Sequence, residues 1–489
     1  MTARRTATVG GVDVDLDHYI GGARVGSARS FEDRSPIDWS MLLGEVARGD
    51  ADTAASAVAA AVDAAPAWAA LGAAGRGVIL RRLADLIDAR TEELAIVECL
   101  DMAMLHESLR ARVIGRGARN FRAYADLAEA YAPRRWSSNG TDNTVQRMPA
   151  GPTVVITPWN APFMLSTWKT APALAAGNTV VLKPAEWSPL SCSLLCDLGE
   201  EAGVPAGVLN VVQGIGGEVG AALVGDPRVR RISFTGSPAT GVAIGVAAAR
   251  NLVPFTAELG GKGPLVVFGD ADLDAAAATA ARMYDDAGQV CLAGTRLLVE
   301  AAVRDAFFER FRVATDAHVL GDPRDASTTV SPLIHPDHLA RVEGFVERAR
   351  VAGDEIVFGG RRWKDDALWY EPTLVVPRDN DAEIVQAEVF GPVLTLQTFR
   401  DEDEAIALAN STRYGLSAMI FTADAARAAR CGEAIRAGTV WTNCFLVRDL
   451  TAPFGGCGIS GIGREGGDYA LDFYSELKTV QVKEGTTDG

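Results

Sequence analysis

Short β-branched runs that alternate with helix-compatible stretches constrain the fold of this chain more than any other feature. One series consists of PTVVITP, TVVLKP, VLNVV and RRISFTG. A second series follows Glu258 and consists of PLVVF, TRLLVE, YEPTLVV, VLTLQTF, LSAMIFT and GTVWTN. Because such alternation places crossover helices between parallel strands, the sequence predicts an α/β protein with two sheet-containing units.

Two other parts of the chain have different patterns. Residues 51–130 are rich in alanine and charge, with apolar residues at helical spacing, so they predict amphipathic helices. NTVQRM and LKTVQVK alternate apolar and polar residues at period two and stand outside both strand series. They predict a small separate sheet or a subunit contact.

Composition restricts the partners of the chain. With 489 residues, 48% of them hydrophobic, two or three packed units are expected. A formal net charge of -16 disfavours nucleic acid and anionic membrane surfaces. Arg4 and Arg5 are not followed by the apolar stretch of a signal peptide, and no run approaches the length of a membrane span. We therefore expect a cytoplasmic protein.

Cysteine usage agrees with a reducing compartment. Seven cysteines are scattered without a Cys-x-x-Cys pair, and only five histidines accompany them. Cys192 and Cys196 are one helical turn apart, where two buried small apolar side chains are a better explanation than metal ligands. No metal is assigned.

Cys291, in AGQVCLAGTR, is the candidate nucleophile. Its Gly-containing turn can hold a thiol open, although a single cysteine is more often a buried small hydrophobe. Other segments change that balance. Asn160 in WNAPF follows the first parallel strand, and carboxylates occur at Glu258 in ELGGKGP and at Glu388 in EVFGP.

Together these segments resemble the aldehyde dehydrogenase superfamily. The matching motifs occur in order along nearly the whole chain: ITPWNAPF, GNTVVLKPAEWSP, FTGSPATG, ELGGKGP, GQVCLAGTR, EVFGPV, GTVWTN, PFGG and SGIGRE. The resemblance implies an aldehyde dehydrogenase fold with a Rossmann-like NAD-binding domain and an α/β catalytic domain. It also implies a small oligomerisation β-sheet and a homodimer or homotetramer. The expected boundaries are 1–128 and 148–258 for NAD binding, 259–470 for catalysis, and 129–147 and 471–489 for oligomerisation.

The resemblance also implies catalytic roles. Cys291 would attack the aldehyde carbon, and the Asn160 amide and the backbone N–H of Cys291 would form the oxyanion hole. Glu258 would be the general base that activates water to release the acid. Lys169 and Glu465 match positions that pass protons away from that glutamate, and an ordinary ion pair explains them equally well.

NAD is the expected cofactor. GSPATG has the wrong spacing for the Gly-x-Gly-x-x-Gly fingerprint, yet it follows a strand and opens a helix, whose free N–H groups suit an anion. A carboxylate at Glu186 accepts hydrogen bonds from ribose hydroxyls and repels a 2'-phosphate, which favours NAD over NADP. The expected cofactor-binding residues are Thr157, Trp159, Lys183, Glu186, Gly216, Gly236, Ser237, Gly241, Leu259, Glu388 and Phe390.

Two arginines indicate the small-molecule aldehyde substrate. Arg116 and Arg448, with the motifs PFMLSTWK and GIGREGG, resemble the subfamily that oxidises muconate-type semialdehydes. A guanidinium binds a carboxylate bidentately, so the two would hold the acid end of a semialdehyde beside the walls formed by Trp168 and Phe454. Alternatively, Arg448 pairs with the neighbouring acid Asp449 at the surface.

Several positions depart from the family pattern. Asp285 and Asp286 replace the usual aromatic and asparagine near the nucleophile, where ionised acids would raise the thiol pKa, unless they point to solvent. Ile-Gly precedes Arg116 in place of Ile-Pro, and Cys457 with Gly458 follows PFGG.

Three other functions are kept open. The chain could oxidise uncharged aromatic or aliphatic aldehydes. It could be a CoA-acylating relative, although such enzymes typically lack the base at Glu258. It could also be a non-catalytic structural relative, which the presence of Cys291, Asn160 and Glu258 makes a poor explanation.

Overall fold

The computed structural model describes residues 4–483, and its N-terminal part is a set of short strands followed by helices. The strands are β1 (Thr6–Val9), β2 (Val12–Asp15), β3 (His18–Ile20), β4 (Ala23–Val25), β5 (Ser30–Arg34) and β6 (Leu42–Ala47). The helices are α1 (Ala51–Ala70), α2 (Gly72–Ala89), α3 (Thr91–Met102), α4 (His106–Ser108), a π-helical turn (Leu109–Val113) and α5 (Ile114–Ala130). The helices confirm the amphipathic pattern, whereas the six strands were not predicted.

Helix α1 illustrates how the sequence sets these boundaries. The Asp50 side chain caps it by accepting the backbone N–H of Thr53, and the Thr53 hydroxyl accepts the N–H of Asp50 in return. Such a reciprocal capping box satisfies two of the donors that a helix start leaves free. Among the described residues no single helix is long and apolar enough to cross a membrane, and only the pair α1 and α2, bent by 112°, reaches that length and composition together.

The first large sheet contains the first predicted strand series. After β7 (Arg134–Ser138) and β8 (Thr141–Pro149), the chain forms β9 (Thr153–Ile156), α6 (Pro162–Ala175), β10 (Val180–Lys183), α7 (Leu190–Ala202), β11 (Leu209–Val211), a π-helical turn (Gly216–Gly220), α8 (Ala221–Gly225), β12 (Arg231–Thr235), α9 (Pro238–Arg250) and β13 (Phe255–Glu258). Strands β13, β12, β9, β10 and β11 are parallel neighbours in that order. The antiparallel pair β3 and β4 extends the sheet beyond β11.

The second large sheet contains the second series. Its part of the chain comprises β14 (Pro264–Val267), α10 (Leu273–Ala281), a 3-10 helix (Arg282–Gly288), β15 (Arg296–Glu300), a 3-10 turn (Ala301–Val303), α11 (Arg304–Asp316), α12 (Pro336–Ala352), β16 (Glu355–Phe358), β17 (Thr373–Val376), α13 (Glu383–Gln386), β18 (Val393–Phe399), α14 (Glu402–Ala409), β19 (Ser417–Phe421), α15 (Ala425–Ala434) and β20 (Thr439–Thr442). The order is β16, β17, β18, β15, β14, β19 and β20, and only β16 is antiparallel.

The end of the described chain returns to the first sheet. A 3-10 turn (Gly458–Ser460) leads to β21 (Gly461–Ile462), which pairs antiparallel with β13, and α16 (Gly467–Phe473) and β22 (Ser475–Lys483) follow. Strand β22 pairs with β8, and β8 with β7. The small separate sheet is therefore present, while its role in oligomerisation stays a prediction. Residues 1–3 and 484–489 of the expected domains lie outside the described residues.

The connection between the two sheets sets the position of the candidate site. Strand β13 ends at Glu258, and β14 of the other sheet begins at Pro264. In the register of the first sheet, Glu258 pairs with Thr235 and Phe234 pairs with Ile156, so β9, β12 and β13 end at the same edge. Ligands bind at the carboxyl edge of such parallel sheets, so we expect the loops that follow these strands to carry the reactive residues.

Candidate active site

The loop that carries Cys291 has an unusual backbone. Asp286, Ala287 and Gly288 all have positive φ, at 51°, 54° and 68°. The loop also contacts the connection between the sheets closely, because a Cβ on Gly261 would stand 2.3 Å from the carbonyl oxygen of Cys291. Only glycine permits that approach, so the ELGG motif fixes where the thiol lies.

The electrostatic surroundings of Cys291 keep its thiol protonated at rest. Burial raises its pKa to about 12, the Glu388 carboxylate adds to the effect, and the Arg448 guanidinium opposes it. Asp285 and Asp286 are not among the causes. Asp285 lies 3.6 Å from Arg282, and burial raises the pKa of both acids to about 6. The two acids that replace the usual family residues therefore do not contribute to the raised pKa of the Cys291 thiol.

Asn160 lies against the nucleophile loop. Its Nδ2 donates a hydrogen bond of 3.0 Å to the carbonyl oxygen of Gln289, two residues before Cys291. The other expected donor, the backbone N–H of Cys291, belongs to the same loop. Both expected oxyanion donors are thus brought to the same loop. One N–H of the Asn160 amide is committed to Gln289, which leaves the other available.

Glu258 ends β13 in a buried position. Within the described residues, neither of its carboxylate oxygens has a hydrogen-bond partner. Burial raises the pKa of Glu258 well above its usual range, the Glu465 carboxylate adds to this, and Lys169 opposes it. Burial and the neighbouring carboxylate therefore favour the protonated form of Glu258, and only its ionised form can act as a base.

Lys169 and Glu465 form a buried ion pair beside Glu258. Lys169 on α6 is fully buried, and its Nζ contacts Oε1 of Glu465. The Ser233 hydroxyl joins them, because it accepts from Lys169 at 3.0 Å and donates to Glu465 at 3.1 Å. Thr256 donates to Ser233 at 3.2 Å. Sequence reasoning missed Ser233 and Thr256, although β12 and β13 place these two residues opposite each other.

A cavity of about 780 Å³ lies beside the first sheet and contains part of the predicted cofactor site. Glu186 and Gly216 line it, and Lys183 donates to Glu186 at 2.9 Å. Burial raises the pKa of Glu186, but the Lys183 ammonium and nearby backbone N–H groups outweigh this and hold the pKa below its usual value. The other residues that line the cavity were not predicted, among them Thr240, Ala221, Arg250 and Asn251.

The start of α9 borders the same cavity. Ser237 caps this helix by accepting the backbone N–H of Thr240 at 3.2 Å, so its hydroxyl is part of the cap. Gly241 packs against Leu259, where a Cβ would come within 2.9 Å. A Cβ on Gly236 would stand 2.4 Å from the Phe234 ring. The small residues let the helix start lie close to the sheet.

The predicted nicotinamide end lies nearer Cys291. Glu388 accepts the backbone N–H of Gly261 at 2.8 Å, and burial raises the pKa of Glu388 to about 7. Phe390 has a left-handed backbone, φ 62°, and its ring meets that of Trp159 edge-on at 5.3 Å. His338, which the sequence analysis missed, donates to the Phe390 carbonyl at 2.7 Å.

Thr157 is one of the most buried members of the predicted cofactor set. It is 2% exposed, its hydroxyl bonds to Ser166 at 2.9 Å, and its backbone N–H donates to the Lys183 carbonyl. The remaining residues fit a dinucleotide, because the cavity offers a ribose-binding acid and a helix start, while Trp159 and Phe390 form an aromatic contact outside its lining.

The two substrate arginines lie over a shared aromatic wall. The Arg116 guanidinium is 5.4 Å from the Trp168 ring centre, and that of Arg448 is 3.9 Å from the Phe454 ring and 6.0 Å from Trp168. Among residues 4–483 neither arginine forms an ion pair. Asp449 instead accepts the N–H and hydroxyl of Thr451, so the alternative Arg448–Asp449 pair does not form.

Comparison with known proteins agrees with this geometry. The model of the aldehyde dehydrogenase family matches residues 24–480. The 2-hydroxymuconic semialdehyde dehydrogenase of Pseudomonas sp. (strain CF600) is 41% identical, covering 96% of this chain and 99% of that protein. A betaine aldehyde dehydrogenase of Cereibacter sphaeroides (strain KD131 / KCTC 12085) is 40% identical over 96% of this chain and 98% of that protein. The solved structure of P. syringae indole-3-acetaldehyde dehydrogenase with NAD+ and IAA has a TM-score of 0.94 and 37% identity, covering 96% of this chain and 97% of that chain.

The chain belongs to the aldehyde dehydrogenase family. Within that family it is an NAD-dependent aldehyde dehydrogenase, an oxidoreductase, as the sequence predicts. Relatives named for different aldehydes are almost equally identical to this chain, so sequence identity alone does not identify its substrate.

Proposed function

We propose that this enzyme oxidises an aldehyde that also carries a carboxylate, a semialdehyde of the muconate type. One observation carries the proposal: the guanidinium groups of Arg116 and Arg448 lie over one aromatic wall and have no ion-pair partner in the part of the chain that the structure describes. We call Arg116, Arg448, Trp168 and Phe454 the anchor end of the site. We call Cys291, Asn160, Glu258, Lys169 and Glu465 the reaction end.

The charges of the anchor end favour an anionic substrate. Burial lowers the pKa of Arg116 to about 10, with Arg448 adding to the effect, and burial also lowers the pKa of Arg448. Burial disfavours both cations and Arg448 further disfavours the charge on Arg116, so a carboxylate between them would offset a cost already present in the free enzyme. The quaternary ammonium of betaine aldehyde would be repelled there.

The reaction proposed for the other end starts at the thiol. Ionised Cys291 attacks the aldehyde carbon, and the free N–H of Asn160 together with the Cys291 N–H stabilises the resulting oxyanion. NAD, when bound, supplies the acceptor for the hydride that leaves this adduct. Cys291 then carries a thioester. The close approach of Gly261 to the Cys291 carbonyl oxygen keeps this residue in place.

Release of the acid needs water activated by Glu258. Since burial raises the pKa of this carboxyl group, any proton that it holds must leave before it acts as a base. The Lys169–Glu465 pair, joined through Ser233, offers an adjacent buried route for that proton. Hydrolysis at Glu258 also distinguishes this enzyme from a CoA-acylating relative, in which no base for water is needed.

We assign the cofactor contacts as follows. Lys183 and Glu186 hold the adenosine ribose, and the start of α9 with Ser237 lies beside the pyrophosphate. Trp159, Glu388 and Phe390 hold the nicotinamide half. The remaining members of the set shape this cleft: Thr157, Gly216, Gly236, Gly241 and Leu259.

Assembly and location are also proposed. Strand β7 is exposed throughout, and Trp136, Met148 and Leu477 are exposed apolar residues on the small sheet. We propose that this sheet joins subunits of a homodimer or homotetramer. All seven cysteines are free, which suits the reducing cytoplasm.

The substrate proposal is tested with Arg448→Lys. Lysine keeps the positive charge near Cys291 but loses the planar fork that binds a carboxylate bidentately. The KM for 2-hydroxymuconate semialdehyde should rise at least about tenfold, while that for benzaldehyde changes less than about twofold. Arg464→Lys is the control, because Arg464 donates only to the carbonyls of Gly456 and Gly463. Equal rises for both aldehydes in Arg448→Lys would overturn the proposal.

A further inference from the structure

The loop that carries Arg448 is held by a side chain that no sequence motif assigned to the substrate. Trp441 on β20 is 6% exposed, and its Nε1 donates a hydrogen bond of 3.0 Å to the carbonyl oxygen of Val447. Val447 directly precedes Arg448. The Trp441 ring also meets Phe445 edge-on at 5.6 Å, so the indole contacts the loop at two points.

The backbone between these points is tightly turned. Asn443 and Leu446 both adopt the left-handed region, with φ of 53° and 57°. The Asn443 amide bridges to β19 by donating to the Thr422 carbonyl at 2.9 Å and accepting its N–H at 3.1 Å. Residues in this region are held there by their surroundings, so these hydrogen bonds determine the path of the loop.

The far side of Arg448 is fixed as well. Asp449 accepts the backbone N–H and hydroxyl of Thr451, each at 2.8 Å, and Gly467 donates to the Leu450 carbonyl at 2.8 Å. Arg448 itself makes no hydrogen bond within the described residues and touches only aromatic faces. Its guanidinium is therefore placed by its backbone, while all its N–H donors stay available.

We propose that Trp441 is a positioning residue that sets substrate specificity by fixing Arg448 at the distance from Cys291 that a semialdehyde acid requires. This inference rests on the proposed function, because it explains what holds Arg448 where a substrate carboxylate would meet it. Trp441 acts through the Val447 carbonyl and contacts no substrate. Loss of the hydrogen bond lets Arg448 move along the wall, so a carboxylate is bound less well and an uncharged aldehyde is unaffected.

The test is Trp441→Phe, which keeps a ring against Phe445 and removes the N–H donor. The KM for 2-hydroxymuconate semialdehyde should rise about fivefold, the size of one lost hydrogen bond, with kcat and the KM for benzaldehyde within about twofold. Trp369→Phe is the matched control, because Trp369 is similarly buried and donates its Nε1 to the Gly321 carbonyl at 3.1 Å, a loop without proposed site residues.

A double-mutant cycle separates positioning from general damage. If Trp441 acts through Arg448, then Trp441→Phe should change the acid KM by less than about 1.5-fold in an Arg448→Ala background. Equal effects in both backgrounds, or equal effects on both aldehydes, would overturn the inference. If Arg448→Lys raises both KM values equally, the proposed function fails. If Arg448→Lys is selective while Trp441→Phe matches Trp369→Phe, only this inference fails.

Asn443→Gly provides a second variant should Trp441→Phe not fold. Glycine accepts the left-handed backbone at residue 443 without strain and removes only the two amide hydrogen bonds to Thr422. The same acid-selective rise in KM is expected. An unchanged acid KM in a folded Asn443→Gly variant would contradict control of Arg448 by the loop.

Discussion

The reaction end and the anchor end of the site are built in different ways. The core of the reaction end lies at strand ends and the ELGG connection. There Glu258 is buried without a hydrogen-bond partner among residues 4–483, and the Cys291 thiol is protonated at rest. The anchor end stands on helix α5 and the loop after β20, where two cations lie over aromatic rings. Under the proposed function, the difference teaches that strand ends position the reacting groups, whereas a helix and a loop position the groups that select the substrate.

The two ends are nevertheless connected by charge. The Arg448 guanidinium lowers the pKa of the Cys291 thiol and also that of Glu258. Substitutions at Arg448 that remove its charge therefore change the reaction end as well, which is why the charge-preserving lysine variant is the cleaner test of binding.

The largest effect is expected at the reaction end. Cys291→Ala should reduce NADH formation by about 10³-fold or more with every aldehyde, because no nucleophile remains. Cys457→Ala, which removes another partly exposed thiol, should retain parental activity. The measurement is the steady-state rate by absorbance. Turnover of Cys291→Ala near the parental rate would contradict the assignment of Cys291 as the nucleophile.

Glu258→Gln should separate the two halves of the reaction. One equivalent of NADH should form at a near-parental rate, after which turnover slows about a hundredfold because the thioester is not hydrolysed. In the parent, the raised pKa of Glu258 means that its base form grows as pH rises, so kcat should increase with pH, and the variant should lose this increase. Stopped-flow absorbance measures both phases; multiple parental turnovers in Glu258→Gln would contradict the assignment.

The reactivity of the free thiol should depend steeply on pH. Since the pKa of Cys291 is raised to about 12, the thiolate fraction in the cofactor-free enzyme should grow about tenfold per pH unit between about pH 7 and 9. Alkylation of Cys291 by iodoacetamide, followed by mass spectrometry, measures this fraction. Arg448→Ala should slow alkylation at each pH, because it removes a charge that favours the thiolate. A plateau below pH 8 would show that the thiol is ionised more easily.

A smaller effect is expected at the other member of the anchor end. Arg116→Ala should raise the KM for a semialdehyde acid about fivefold and leave that for benzaldehyde unchanged, because it removes one of two cations near the carboxylate. Arg119→Ala is the matched control, being on the same helix but exposed. Equal KM changes in these two variants would assign the effect to the general charge of α5.

The smallest effect concerns the cofactor. Glu186→Gln should raise activity with NADP relative to NAD by only a few-fold, because it removes repulsion without adding a partner for the 2'-phosphate. Initial rates at matched cofactor concentrations provide the ratio. A parent enzyme that uses NADP as well as NAD would contradict the assigned role of Glu186.

The placement of Asn160 and Glu258 at one sheet edge could be predicted because each lies in a motif next to a β-branched strand. WNAPF follows β9 and Glu258 ends β13, so parallel strand ends bring both to one edge. Ser233 and Thr256 were missed because their role depends on strand register, which no single segment reveals. The six N-terminal strands were also missed, since they are three to six residues long and most lack an apolar run.

The anchor end could be predicted only in part. The sequence picked out Arg116 and Arg448 as charges, but it could not tell that Asp449 binds Thr451 and leaves Arg448 unpaired. It also raised the question of Asp285 and Asp286, whose side chains face Arg282 and Arg112. The partner that each of these charged side chains finds depends on loop conformation, such as the left-handed backbone at Asn443 and Leu446. That conformation depends in turn on contacts between residues distant in sequence.

The most direct test of the central claim is the ratio of kcat/KM for 2-hydroxymuconate semialdehyde to that for benzaldehyde, with succinate semialdehyde and a short aliphatic aldehyde in the same panel. We predict a ratio above about 100 at low ionic strength that falls as salt is raised, because two cations bind the carboxylate. A ratio near or below about 1, or one independent of salt, would contradict an enzyme whose anchor end selects an acid.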